Sequence, residues 1–297
     1  MKLQFKEQAF QKDAVKAVVD CFNGQSLKTN RFTLERSQDL IRKAKQAASG
    51  GVQASAFEAE VMEEIGYRNS PISILETQVL KNIQEVQKRS GLNESQQIER
   101  PSGVRLGYNL TIEMETGTGK TYTYIRMMYE LHKHYGWSKF IVIVPSIAIR
   151  EGVYKSFQVT QDHFQQLYGH KINPFIYNSG RPQDIENFAS DSRISVMIIN
   201  TQAFNASGAD ARRIYQELDQ FGTRKPIDII AQTNPILIID EPQSVDGDKT
   251  LKSMQDFRPL FTLRYSATHK VEYNKVFRLD ALDAYNRRLV KKIQVKG

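Results

Sequence analysis

The sequence predicts an α/β fold built on a mostly parallel sheet, and two observations carry that prediction. From Gly107 onward, short apolar runs alternate with longer amphipathic stretches, the pattern of strands joined by crossover helices. The runs are apolar at successive positions, as in "KFIVIV" at 139–144 and "SVMIIN" at 195–200. Strands of that kind are buried on both faces, so helices must cover both. Sheets of this class bind ligands at the carboxyl ends of their strands, so chemistry is sought just after each run.

In chain order, residues 1–24 start extended and become helical from Gln11. Apolar residues recur at 14, 15, 18, 19 and 22, and Gly24 is the expected stop. Residues 25–106 are rich in Gln, Ser, Glu and Lys and contain "AASGGVQAS" at 47–55. They predict two or three amphipathic helices, one over 73–91, with no strand signal, and so a helical insertion. Residues 107–297 carry strands at 109–114, 139–144, 172–177, 195–200, 236–239 and 260–265. Helices fit between them, one over 120–135 and closed by Gly136.

Composition narrows the class. The 297 residues carry 41 Lys and Arg against 33 Asp and Glu, a formal charge of +8 that favours a polyanionic partner. No apolar run approaches the roughly 20 residues of a membrane helix. The polar N-terminus lacks the apolar centre of a secretory signal. One cysteine, Cys21, excludes an internal disulfide and fits a reducing compartment; the expectation is a cytoplasmic protein without a membrane partner. His132 and His134 are two apart on a helix, so they face different ways and make a poor metal pair.

"METGTGKT" at 114–121 lies between a strand and a helix, the setting of a phosphate-binding loop. Glycines at 117 and 119 let the backbone turn tightly and bring N–H groups of Thr116, Gly117, Thr118 and Gly119 towards phosphate oxygens. The helix starting near Lys120 adds its positive end. Lys120 reaches β- and γ-phosphates, and the Thr121 hydroxyl is a Mg²⁺ ligand. Met114 stands where the strict pattern has glycine. Downstream, "ILIIDEPQS" at 236–244 runs four apolar residues straight into Asp240 and Glu241. A carboxylate at the end of a buried strand needs a cation. Beside a phosphate loop that cation is Mg²⁺, held by Asp240, and Glu241 is placed to act as general base on water.

With "SAT" at 266–268, these stretches resemble motifs I, II and III of superfamily two helicases and translocases. The longer runs "IEMETGTGKTYTYIRMMYELHKHYGWSKFIVIVPSIAIREGV", "ILIIDEPQSV" and "LRYSATHK" resemble the Res subunit of Type III restriction–modification enzymes, from about Gly107 to the C-terminus and weakly over the first twenty residues. The resemblance implies a P-loop, RecA-like first motor domain over 107–297. It makes Gln11 of "FQKDAV" similar to an adenine-reading glutamine, with Phe10 or Phe5 stacking on the base; a solvated helix glutamine is the plain alternative. It places Ser146, Arg150, Thr201 and Gln202 on a DNA backbone, where Ser146 can equally cap a helix and Thr201 close a turn. It makes Ser266 and Thr268 the link between nucleotide and DNA. Implied too are ATP, Mg²⁺, duplex DNA, a methyltransferase (Mod) subunit and endonuclease activity in a longer enzyme. A second RecA-like lobe and a nuclease have no sequence here, so this reads as an N-terminal piece. A stand-alone helicase or remodelling ATPase, and a nucleotide- or DNA-binding module without turnover, stay open beside it.

Overall fold

Both faces of one sheet hold the core, and each strand divides its side chains between them. In β4 below, Phe140, Val142 and Val144 belong to one apolar cluster, and Ile141 and Ile143 to the other. That split is the period-2 alternation hidden inside a continuously apolar run. The computed structural model describes residues 5–34, 64–205, 210–217 and 224–290.

Helix α1 (Ala9–Asp20) is followed by a turn at Gly24, φ 96°. Strands β1 (Thr29–Leu34) and β2 (Glu64–Asn69) pair antiparallel. Then come α2 (Glu76–Arg89) and β3 (Tyr108–Met114), and α3 (Lys120–Tyr135) and β4 (Lys139–Val144). Helix α4 (Ile147–Tyr168) leads to β5 (Asn173–Ile176), and α5 (Gln183–Ser190) to β6 (Ser195–Asn200). Helix α6 (Pro226–Gln232) precedes β7 (Ile236–Asp240), and β8 (Phe261–Ser266) and β9 (Lys275–Leu279) close the sheet.

The seven-stranded sheet has the order β5-β6-β4-β7-β8-β3-β9, and every pairing is parallel. Helices α1, α3 and α4 contribute to one apolar cluster, and α5 and α6 to the other. This is a RecA-like α/β fold. Its strand order places the ends of β7, β8 and β3 side by side, and those of β4 and β6 beside each other.

The expected strands at 139–144 and 195–200 are found at those bounds, and the other four within one residue at each end. Two expectations need correction. Residues 25–106 are not helical throughout: β1 and β2 form a ladder there, while 35–63, including the stretch at 47–55, lie outside the described residues. Each strand offers only a single apolar pair two residues apart, Phe32 and Leu34 or Ile65 and Tyr67, too short a run to mark a strand without its partner. Phe32 faces Gly66 across the ladder, and its ring occupies the space a Cβ there would take. The other correction is β9, an edge strand beside β3 that was not expected.

The N-terminal segments are joined to the sheet by buried contacts. Val79, Ile83 and Val86 of α2 enter the same cluster as α1 and β3. Fully buried Asn69 accepts from Ser138 N (2.7 Å) and Lys139 N (3.0 Å) and donates to Lys139 O (2.8 Å) and Asn234 O (2.9 Å). One amide thereby satisfies the chain where β4 begins and just before β7.

Candidate active site

After β3 the chain turns through Glu115–Gly119 and enters α3 at Lys120. Gly117 and Gly119 have φ of 80° and 89°, the left-handed region that favours glycine. Gly119 has a second reason: a Cβ there would lie 2.6 Å from Gln11 Nε2. Thr118 donates to the Glu115 carbonyl through Oγ1 (2.6 Å) and N (3.2 Å), and Thr116 N donates to Glu115 Oε1 (2.8 Å). Met114 is fully buried in the core. The departure from the strict glycine pattern therefore falls on a strand residue and leaves the turn intact.

At the end of β7, Asp240 is 6% exposed. The Tyr124 hydroxyl lies 3.4 Å from its Oδ2. Burial and the neighbouring Glu241 charge push the Asp240 carboxyl up to about 6, against the pull of Lys120 and Tyr124. Glu241 adopts φ 58°, and its N donates to the Tyr265 carbonyl (2.9 Å). Its Oε1 meets Lys120 Nζ at 3.0 Å; its Oε2 accepts from Gln243 Nε2 (2.6 Å) and lies 2.8 Å from Ser266 Oγ. Burial raises the Glu241 pKa, but hydrogen bonds from Gln243, Lys120 and Ser266 outweigh it and hold the carboxyl low. Adjacent carboxyls are thus driven apart, which suits one to a cation and the other to a proton acceptor.

The donor set fits Mg²⁺. A buried carboxylate without full compensation and the Thr121 hydroxyl are both hard oxygen ligands, and the Tyr124 hydroxyl lies beside that carboxylate. No group of three or more His, Cys, Asp or Glu forms a metal cage among the described residues. The ion suited to this place is therefore one that keeps waters and phosphate oxygens as ligands. His134 faces Glu130 (3.5 Å) and His132 faces the ring of His170 (5.5 Å), so the histidines point apart as their spacing implies.

Ser266 is fully buried. Its Oγ accepts from Thr268 N (3.0 Å) and has the Glu241 carboxylate, Gln243 Oε1 (2.8 Å) and Thr268 O (3.0 Å) as acceptors within reach. One proton serves one acceptor at a time, and the charged carboxylate is the strongest. Thr268 takes part through its backbone. Gln243, legible only as part of "DEPQ", is a residue whose role sequence reasoning missed; its amide braces Glu241.

Gln11 is 7% exposed, so it is not a solvated helix residue. Its Nε2 donates to the Thr118 carbonyl (3.0 Å), and its buried Oε1 has no hydrogen-bond partner among the described residues. Beside it is a cavity of about 360 Å³ lined by Phe5, Gln11, Gly117, Tyr122 and Leu289, among others. Phe5 stacks on Tyr122 at 6.0 Å. Phe10 lines the same cavity but is 5% exposed and packed into the core, so Phe5 and Tyr122 offer more ring face.

The second group of residues lies at the ends of β4 and β6. Ser146 caps α4, its Oγ accepting from Ile149 N (3.3 Å). Arg150 donates to Asn200 Oδ1 (3.2 Å) and Glu151 Oε1 (2.9 Å). Thr201 N donates to the Val144 carbonyl (3.2 Å), and the Thr201 carbonyl accepts from Phe204 and Asn205. Gln202 is exposed and opens a short helix. Ser146, Arg150, Thr201 and Gln202 therefore share one edge of the sheet, apart in sequence and together in space.

Residues 74–271 match the family model described as "Type III restriction enzyme, res subunit". The Res subunit of the Escherichia coli Type III restriction–modification enzyme EcoP15I is 31% identical over 245 residues, covering 76% of this chain and 25% of that protein. The EcoPI Res subunit of Escherichia phage P1 is 32% identical over 245 residues with the same coverage. The StyLTI Res subunit of Salmonella typhimurium is 34% identical over 222 residues, 63% of this chain and 22% of that protein. The chain thus spans about a quarter of the length of the curated relatives it matches. Among solved structures, the Sulfolobus solfataricus SWI2/SNF2 ATPase core in complex with dsDNA superposes with a TM-score of 0.36 at 13% identity, over 68% of this chain and 33% of that one.

Proposed function

The chain belongs to the family of Type III restriction enzyme Res subunits, and we propose that residues 107–297 are the first lobe of its ATP-driven DNA motor. The observation that carries the reading is the junction of Lys120, Asp240, Glu241 and Ser266, from three neighbouring strand ends, around one phosphate-binding turn.

In this reading, backbone N–H groups of Thr116–Gly119 and the Lys120 ammonium hold the β- and γ-phosphates of ATP. Thr121 and Asp240 hold Mg²⁺, which neutralises phosphate charge when bound. Phosphate draws Lys120 away from Glu241, leaving an ionised carboxylate free to accept the proton of the attacking water. Ser266 and Gln243 keep that carboxylate aimed. The Gln11 donor is committed to Thr118, so Oε1 is the atom it presents to the base; an acceptor there selects the 6-amino group of adenine. Phe5 and Tyr122 supply stacking area, with Phe10 behind them.

Ser146, Arg150, Thr201 and Gln202 form the track for the backbone of duplex DNA, and Ser266 with Thr268 links that track to Glu241. Residues 1–24 serve the base, and 25–106 are an addition whose Asn69 and α2 brace the sheet. A second lobe supplying an arginine to the γ-phosphate, a nuclease and a Mod methyltransferase subunit complete a cytoplasmic endonuclease. No helix among the described residues is long and apolar enough to cross a membrane. The resting Lys120–Glu241 pair favours a second reading for the lobe alone, in which it binds nucleotide with little turnover.

The test is a pair of variants. Asp240→Asn should weaken only the Mg²⁺-dependent part of ATP binding by calorimetry. Glu241→Gln should leave binding within a few fold and remove hydrolysis in the full-length enzyme. Identical behaviour of the two, with and without Mg²⁺, would refute the division of roles.

A further inference from the structure

Three successive residues of β8 hold the turn that carries Glu241, each by a different group. The Tyr265 carbonyl accepts from Glu241 N, and Ser266 Oγ meets the Glu241 carboxylate. The third is Arg264. It is fully buried, and its Nη2 donates to Asp246 Oδ2 in a close ion pair. Asp246 is five residues beyond Glu241. Between them the chain closes on itself, Ser244 N donating to Glu241 O (3.0 Å) and Val245 N to Pro242 O (2.9 Å). The turn is thus pinned at its start by Tyr265 and Ser266 and at its far end by Arg264.

Such pinning is what the conformation requires. Glu241 sits at φ 58°, where a residue with a Cβ stays only when its surroundings enforce it. The pair itself is a poor source of stability. Arg264 Nε and Nη1 and Asp246 Oδ1 are buried without a hydrogen-bond partner among the described residues. The guanidinium also lies over the ring of Tyr273, 5.2 Å away. Apolar side chains of similar volume would fill that space with less desolvation. What they lack is direction: a charge-assisted hydrogen bond holds its partners in one geometry.

We infer that Asp246 and Arg264 are positioning residues of the hydrolytic site, their buried ion pair fixing the turn that aims the Glu241 carboxylate. The inference rests on Glu241 acting as the base. Neither residue touches nucleotide in this account, so their loss should appear in turnover and not in binding.

The experiment measures kcat, KM for ATP, ATP affinity by calorimetry and Tm for Asp246→Asn, Arg264→Lys and the apolar double variant Asp246→Leu/Arg264→Met, in the full-length enzyme. Each single variant should lower kcat tenfold or more with ATP affinity within twofold. The double variant should recover the wild-type Tm and stay at low kcat. If kcat instead follows Tm and returns with the double variant, or if both single variants stay within twofold of wild type, the pair is only structural. Glu241→Gln is measured beside them. If it keeps wild-type kcat, the reading of Glu241 as base falls and this inference with it. If it is inactive while Asp246→Asn and Arg264→Lys turn over normally, the positioning role alone is lost.

Discussion

The two ends of the sheet's carboxyl edge solve different problems. Where β7, β8 and β3 finish, side chains are buried and tightly bonded, with a carboxyl shifted to about 6 and a residue in left-handed backbone. Where β4 and β6 finish, Ser146, Thr201 and Gln202 cap helices and turns or face outward, and Arg150 divides its donors between buried Asn200 and exposed Glu151. Burial amplifies charge and makes a site chemically strong at the expense of stability. A surface that follows a phosphate backbone needs only accessible donors. Changes at the first end should therefore alter both stability and nucleotide chemistry, and changes at the second should leave nucleotide chemistry untouched.

Asp240→Asn gives the sharpest contrast. The folded protein holds the Asp240 proton more tightly than the unfolded chain does, so ionised Asp240 opposes folding. That opposition is complete above about pH 6 and disappears as pH falls towards 4. At pH 8 without Mg²⁺, the variant should gain up to about 3 kcal/mol of stability, read by urea unfolding. The gain should vanish near pH 4. A variant that is less stable at pH 8 would break the comparison. By the same titration, Mg²⁺-dependent nucleotide binding should weaken as pH falls below about 6.

Lys120→Ala should weaken ATP binding by about tenfold to a hundredfold, because a charge-assisted contact to phosphate is lost, roughly 1.5–3 kcal/mol. Unchanged affinity by calorimetry would remove the phosphate loop from the account. Gln11→Ala should narrow the preference for ATP over GTP several-fold, since the buried acceptor facing the base is gone. It should also loosen the P-loop through the lost Thr118 contact; a variant with full preference would return Gln11 to a purely structural role.

Arg150→Ala tests the other end and should have the smallest effect. DNA affinity should fall evenly across sequences, with the salt slope reduced by about 1, and ATP affinity should not move. Ser146→Ala should cost about 1 kcal/mol through the lost cap. If either variant changed nucleotide affinity as strongly as Lys120→Ala, the two ends would be one site.

The same contrast explains what could be read in advance. Lys120, Thr121, Asp240 and Glu241 were legible because a turn of fixed length, or a strand ending in carboxylates, must be written in neighbouring residues. Ser146 and Thr201 were legible as residues after strands, and the structure adds that β4 and β6 are neighbours. Gln243, Tyr124, Asp246 and Arg264 carried no such signal. An arginine inside "LFTLRYS" looks like one polar residue in an apolar strand until Asp246 is placed beneath it. The β1–β2 ladder was nearly as silent, since its paired residues lie about 30 to 40 positions apart and each strand shows a single apolar pair.

By itself the sequence determined the α/β class, the glycine turn ahead of α3, the acidic strand end and the family, because short-range backbone geometry and apolar periodicity are local properties of a chain. The tertiary structure alone decided which strand ends meet, that Gln11 is buried against Thr118, and that Glu241 is held between Lys120 and Ser266. Those contacts join residues separated by 25 to 121 positions. The free energy that fixes them comes from closing the whole sheet, which no local stretch encodes.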